Sequence, residues 1–278
     1  MRAAFIGTEN KIAVYSNIIK NAIASSKLSA ISICGVLSVS IEATANLAIA
    51  LNTKAYLSLD DLLREADIIF VCRHDSQLAS FSELMKEKRV RGKIFCHFSA
   101  RHDSSVLSCG STNTYYSIGL PYSILNATNP QKLVISFEGE GKHCVQFESI
   151  IKSIFPKAVF CSKSEKRMAS IASRILTEYI KILIKISAHF FKMSGLYDEE
   201  SFTEFSMRSM KDVIATGGTK QIRKLPESEI KKDMRLLSVI HSSDTRDFYK
   251  NMETHIAVSG GYDTHETEEI LKILKKKY

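Results

Sequence analysis

Apolar residues in the first half of the chain form short runs separated by stretches of helical spacing. Ala3–Ile6 reads as a strand that runs straight into Gly7. Similar runs predict strands over Ala30–Leu37, Ile68–Cys72, Lys93–Phe98, Thr114–Ile118, Leu133–Phe137 and Ala158–Cys161. Helical spacing predicts helices over Asn10–Ser25, Ile41–Leu51, Ser58–Glu65 and Ser76–Lys88. Strands alternating with helices of this length imply parallel βαβ units. Unbroken runs such as Ile68-Ile69-Phe70-Val71-Cys72 suit strands covered on both faces. Ser58, followed by Asp60 and Asp61, suits a helix start.

The pattern changes near residue 162, after which Pro226 is the only proline. Met168, Ile171, Ile175, Tyr179, Ile182 and Ile186 recur at helical spacing within a predicted helix over Ser164–Met193, which Ser194-Gly195 ends. Further helices are expected over Asp198–Ala215, Ser228–His241, Asp244–Val258 and Thr264–Lys276. The expected class is therefore α/β. Residues 1–162 are expected to form a mainly parallel sheet covered by helices, and residues 163–278 an all-helical domain.

Composition narrows the class without changing it. A hydrophobic content of 45% and a charged content of 24% over 278 residues are ordinary for a globular protein with a good core. No apolar run has the length of a membrane span, and Glu9 interrupts the N-terminal apolar stretch that a signal peptide would need. A cytoplasmic location and no membrane partner are the expectation. The six cysteines are scattered with no C-x-x-C pair, which fits buried thiols better than a disulfide framework or a zinc site. The net charge is +8, but its densest clusters, Lys86–Arg91 and Lys275–Lys277, come with no nucleic-acid motif. They read as solvated surface, and nucleic acid is not an expected partner. The positive field would favour phosphate-bearing small molecules.

The candidate chemistry begins at Gly7. A strand, a glycine turn and a helix form the opening of a dinucleotide site, whose full fingerprint is G-x-G-x-x-G. Here Gly7-Thr8-Glu9-Asn10-Lys11-Ile12 keeps the first glycine and places Glu9 and Ile12 at the other two positions. A carboxylate at position 9 repels phosphate, and Lys11 partly offsets it. The second strand ends in Leu37-Ser38-Val39-Ser40, with neither the acid that favours NAD nor the arginine that admits NADP. Gly7, Thr8, Ser38, Ser40 and Cys72 are the candidate cofactor contacts; capping of the next helix is the other reading of the two serines. His97 and Ser99, at the carboxyl end of a strand, are the candidate catalytic pair, His97 as proton donor, acceptor or hydrogen-bond partner. The competing reading is a histidine satisfied by backbone. Asp75, in Arg73-His74-Asp75 at the same edge, reads best as the cap of the helix from Ser76. His97 and His102 lack metal-ligand spacing, and neither a P-loop nor a G-x-S-x-G elbow is present. On the long helix Lys166, Arg174 and Lys181 read as a solvated face, with an anion contact as the alternative.

The chain resembles a family of bacterial Rossmann-like proteins that carry a C-terminal helical domain of unknown function. That family lies within the wider 6-phosphogluconate dehydrogenase-like and pyrroline-5-carboxylate reductase-like group. The resemblance runs over nearly the full length in element order. It is carried by Phe5-Ile6-Gly7, by Ala66–Val71 with Asp75, by His97-Phe98-Ser99-Ala100 and by Ala215-Thr216-Gly217-Gly218. The family's His-x-Ser-Gly is met at His97 and Ser99, with Ala100 in place of glycine. Gly218 stands for the proline of its Thr-Gly-Pro turn, with Arg223 loosely placed for the arginine that follows. A His-Pro is replaced within Ser117–Pro121, and a helical histidine and asparagine correspond to Ser170 and Glu178. The resemblance implies an NAD(P)-dependent oxidoreductase, with NADP as cofactor and an unknown small-molecule substrate. It also implies a homodimer formed through the helical domain. The degraded glycine turn, with Val39, Ser170 and Glu178, points to the alternative of a ligand-binding or structural protein that has lost its cofactor.

Overall fold

The computed structural model describes residues 1–25, 31–119, 134–140, 144–215, 226–239, 247–254 and 264–275. Two compact units emerge, Met1–Ile180 and Lys181–Tyr278. The compact units part between Ile180 and Lys181, inside a helix.

The first unit is built on one eight-stranded sheet in the order β3-β2-β1-β4-β5-β6-β7-β8. Its strands are β1 (Arg2–Gly7), β2 (Ser32–Ser38), β3 (Lys54–Ala55), β4 (Ile68–Cys72), β5 (Ile94–His97), β6 (Thr114–Gly119), β7 (Ile135–Glu140) and β8 (Ala158–Phe160). The first six follow the 3-2-1-4-5-6 order of dinucleotide-binding sheets. Only β6 and β7 pair antiparallel. Helices α1 (Glu9–Ser25), α2 (Ile41–Leu51), α3 (Leu59–Glu65), α4 (Leu78–Glu87) and α5 (Cys144–Ile154) connect and cover the strands.

Alternation along each strand divides the core between two faces. Ala3, Phe5, Ile68, Phe70, Ile94 and Tyr116 point into one layer with Ile12 and Ile19 of α1, Leu47 of α2 and Phe147 of α5. Ala4, Ile6, Ile69, Val71 and Phe95 point into the other, with Leu62 of α3 and Phe81 and Met85 of α4. Both layers are buried, which is why β1 and β4 read as unbroken apolar runs.

Capping follows the expectation in two of three places. Ser58 accepts from Asp61 N at the start of α3, and Ser40 accepts from Ala43 N at the start of α2. Asp75 is the exception. It opens a 3-10 turn, Asp75–Gln77, ahead of α4, and the N-cap position belongs to His74 without a side-chain bond. Helix α5 escaped the sequence reading, because its apolar positions follow directly on the polar segment after β7.

The long helix runs as α6 (Lys163–Arg174), a π turn at Ile175–Tyr179 and α7 (Ile180–Met193). A capping box starts it, with Ser162 and Glu165 each bonding the other's backbone N–H. Next come α8 (Glu199–Ala215), α9 (Glu227–Val239), α10 (247–254) and α11 (Thr264–Lys275). Ile230, Met234, Ile270, Ile273 and Leu274 form a small core between α9 and α11. Ala30, Leu133, Leu120-Pro121, the Thr216-Gly217-Gly218 turn, Arg223, 240–246, 255–258 and Lys276-Lys277 lie outside the described residues.

Candidate functional site

The sheet lines up the candidate cofactor residues at its carboxyl edge. Gly7 pairs with Ser38 on one side and Cys72 on the other. An added Cβ at Gly7 would lie 2.1 Å from the Cys72 carbonyl oxygen, and its φ of +151° is one that other residues rarely adopt. The glycine is therefore demanded by the close approach of β1 to β4, whether or not a nucleotide lies above it. Thr8 N–H donates to Cys72 O at 3.1 Å, so the first amide of the turn is committed to the fold. The amides of Glu9, Asn10 and Lys11 open α1 and have no intrahelical acceptor, which gives this end of the helix a positive field.

Three features sit around that turn. Lys11 Nζ donates to Arg73 O at 2.8 Å, which holds its charge at the end of β4. Arg73 lies over the Phe81 ring at 5.1 Å, and its buried Nε has no hydrogen-bond partner among the described residues. Tyr15 stacks on Phe98 at 4.1 Å, and burial pushes its phenol up to about 12. The α1 amides, Lys11 and the half-buried Arg73 fit a diphosphate; the Glu9 carboxylate opposes it. Ser38 Oγ donates to Gly7 O at 3.2 Å, and Ser40 is occupied with its cap. The Cys72 thiol is buried and raised well above its ordinary range by desolvation, so its carbonyl is the part that faces the turn.

His97 and Ser99 are brought together, but inside the protein. His97 is completely buried. Its Nδ1 accepts from Ser99 N–H at 3.1 Å, which leaves Nε2 as the donor to Asp103 O at 3.0 Å. Burial pushes the imidazole down to about 3, so the ring is neutral at ordinary pH. Ser99 Oγ accepts from Arg101 N and His102 N, both at 3.1 Å. Together the two side chains wind residues 99–103 into a tight loop.

A third group, for which the sequence reading offered an anion contact only as the alternative to a solvated face, anchors this loop. Lys166 on α6 is only 2% exposed, so the solvated face expected for it is corrected. Its ammonium donates to Ser99 O at 3.0 Å and to His102 O at 2.6 Å. Glu138 of β7 stands 4.0 Å away and accepts from Ser104 N and Ser104 Oγ, both at 2.8 Å. Ser117 Oγ completes the cluster against Ser99 O and His102 O. Burial raises the Glu138 carboxyl and lowers the Lys166 ammonium from their usual ranges. The one sequence signal was Glu138 itself, a carboxylate directly after an apolar strand run. Beside this cluster a cavity of about 120 Å³ is lined by Ala100, Gly119, Ser136, Lys166, Ser170 and Ser173. It opens at the ends of β5 and β6, the edge where ligands bind in sheets of this kind.

Among the described residues no group of three or more His, Cys, Asp or Glu could hold a metal ion. None of their helices is long and apolar enough to cross a membrane.

No family model and no curated protein matches the chain. Solved structures do. Protein TM1727 from Thermotoga maritima superposes with a TM-score of 0.59 at 18% identity, over 98% of this chain and 96% of that one. The imine reductase from Myxococcus stipitatus in complex with NADP+ gives a TM-score of 0.62 at 14% identity, over 99% and 100%. The imine reductase of Streptomyces aurantiacus gives 0.57 at 13% identity, again over 99% and 100%. At these identities the likeness is one of fold, and it extends over nearly the whole of this chain.

Proposed function

We propose that this protein is an NAD(P)-dependent oxidoreductase acting on a small-molecule substrate. The observation that carries the reading is the carboxyl edge of the sheet. There the β1 turn at Gly7, the open amides of α1 and the 120 Å³ cavity follow one another along the ends of β1, β4, β5 and β6. Gly7, Thr8, Ser38, Ser40 and Cys72 would form the floor under the dinucleotide, chiefly through backbone, with Lys11 and Arg73 facing its phosphates. Bound there, NADP(H) would supply the electron pair for reduction. The fold shared with an imine reductase that binds NADP+ supports the same reading.

In this proposal His97 and Ser99 serve by shape. Neutral, buried and bonded on both ring nitrogens, His97 fixes the loop that bounds the substrate cavity, and Lys166 ties that loop to α6. The hydroxyls of Ser136, Ser170 and Ser173 are the groups placed to bond a substrate. The exposed apolar stripe of the long helix, including Met168, Ile171, Leu176 and Tyr179, is the face for a second copy.

Glu9 favours a second reading, a ligand-binding protein that has lost the cofactor. Titration of the purified chain with NADPH and NADH, followed by calorimetry and thermal shift, separates the two. The reductase reading expects a stabilisation that grows with cofactor concentration. No response at millimolar cofactor overturns it. Replacing Glu9→Gly removes one charge beside the diphosphate and should tighten binding by about five- to tenfold.

A further inference from the structure

The second unit contains a cavity of about 320 Å³, a size that accepts a small organic ligand. Ile186 and Phe190 of α7, Leu236 of α9, and Phe248 and Met252 of α10 form its apolar wall. Its polar edge is Asp233 and Tyr249, with the Tyr249 hydroxyl donating to Asp233 Oδ2 at 2.6 Å. One turn beyond Tyr249 lies Glu253, 4% exposed, whose Oε2 has no hydrogen-bond partner among the described residues. Burial, and then the Asp233 charge, raise the Glu253 carboxyl above its ordinary range. The apolar cavity thus carries one carboxylate, Asp233, on its wall, and the charge of Asp233 acts on a second, Glu253, which is buried with an idle oxygen one turn beyond Tyr249. Buried acceptors of this kind are costly unless a donor or a cation meets them.

We propose that this cavity binds a small hydrophobic ammonium ion, its body against Ile186, Phe190 and Met252 and its charged end toward Asp233. The choice follows from elimination on charge. An anion would meet the Asp233 carboxylate. A purely apolar ligand would leave the repulsion between Asp233 and Glu253 uncompensated. An ammonium supplies three donors and a positive charge to acceptors that still have room, since a carboxylate accepts about four bonds and Tyr249 takes one. The rings of Phe190, Phe248 and Tyr249 add faces on which a cation is favoured. The proposal does not rest on dinucleotide binding, because every residue in it belongs to the second unit.

The test uses the full chain, with benzylammonium as the probe and benzyl alcohol and benzoate as its neutral and anionic counterparts, followed by calorimetry. Benzylammonium should bind saturably, the alcohol about tenfold more weakly or worse, and benzoate not at all. Asp233→Asn should weaken benzylammonium by about tenfold while leaving the alcohol unchanged. Glu253→Gln keeps the shape and should weaken it in the same sense, which protects the test should Asp233→Asn fold poorly. Ile186→Trp should fill the cavity and abolish binding. Equal affinity for amine and alcohol, insensitivity to both charge-removing variants, or no binding at millimolar amine overturns the proposal. So does a result in which Ile186→Trp only converts a dimer to a monomer, which would assign the cavity to a second copy.

Discussion

At the scale of single residues, Gly7 and His97 carry the sharpest consequences. Gly7→Ala would drive a methyl group into the Cys72 carbonyl at an unfavourable φ. It should destabilise the chain by about 3 kcal/mol, read as a lower urea midpoint with an unchanged slope. His97 has a pKa of about 3 in the folded protein against the ordinary 6.5. Because the folded value is depressed, the unfolded chain binds the extra proton first as pH falls. Stability from this residue is therefore complete above about pH 6.5 and is lost progressively toward pH 3. His97→Asn keeps an acceptor for Ser99 N–H and cannot titrate. Its stability should be lower at pH 7 by about 1–2 kcal/mol, yet fall less than the wild type's between pH 6.5 and pH 4, as measured by urea unfolding at each pH. An identical acid slope in the two proteins would refute the assignment of His97 as a buried neutral ring.

Elements are joined here by one polar cluster. Strand β7 enters antiparallel beside β6 and brings Glu138 beneath the loop at residues 99–104, while the first turn of α6 brings Lys166 to the same place. Neither contact is local in sequence. Removing one partner of a buried pair leaves the other uncompensated, so Lys166→Met should cost about 3–4 kcal/mol. It should also raise hydrogen exchange over residues 99–104. Glu138→Gln on that background should restore part of the loss, because the stranded charge disappears. The opening of α6 is a separate, weaker support: Ser162→Ala removes the capping box and should cost about 1 kcal/mol by thermal or urea melt.

At the scale of the whole molecule, the apolar side of the long helix is exposed between Met168 and Tyr179. Ile171 is 50% exposed and Leu176 is 66% exposed on consecutive turns. A stripe of this kind is expected at a subunit interface. Leu176→Glu should shift a dimer toward monomer in sedimentation at micromolar protein without lowering the melting transition of the first unit. A wild-type chain that sediments as a monomer at that concentration would refute the dimer.

The succession of elements was legible from the chain because each kind of element leaves a period: strands as apolar runs, helices as 3.6-residue spacing, turns as Gly7 and Gly195. Strand β4 and helix α2 were bounded to the residue, since the charged Asp67 and Arg73 flank the one and Ser40 caps the other. The parallel order also followed, because helical crossovers dictate it. What lay beyond the sequence was every property that depends on distant neighbours. His97 looked the same whether it faced a cleft or a core; burial made it neutral, and Ser99 and Asp103 fixed its ring. Lys166 sits on a helix whose other residues are exposed or half-exposed, and only the position of β7 and the 99–103 loop turned it inward. The cavities at Ser170 and at Asp233 likewise arise where elements far apart in the chain meet. Periodicity is a local quantity and survives in one dimension; desolvation and charge pairing are set by three-dimensional packing, so only the tertiary structure could decide them.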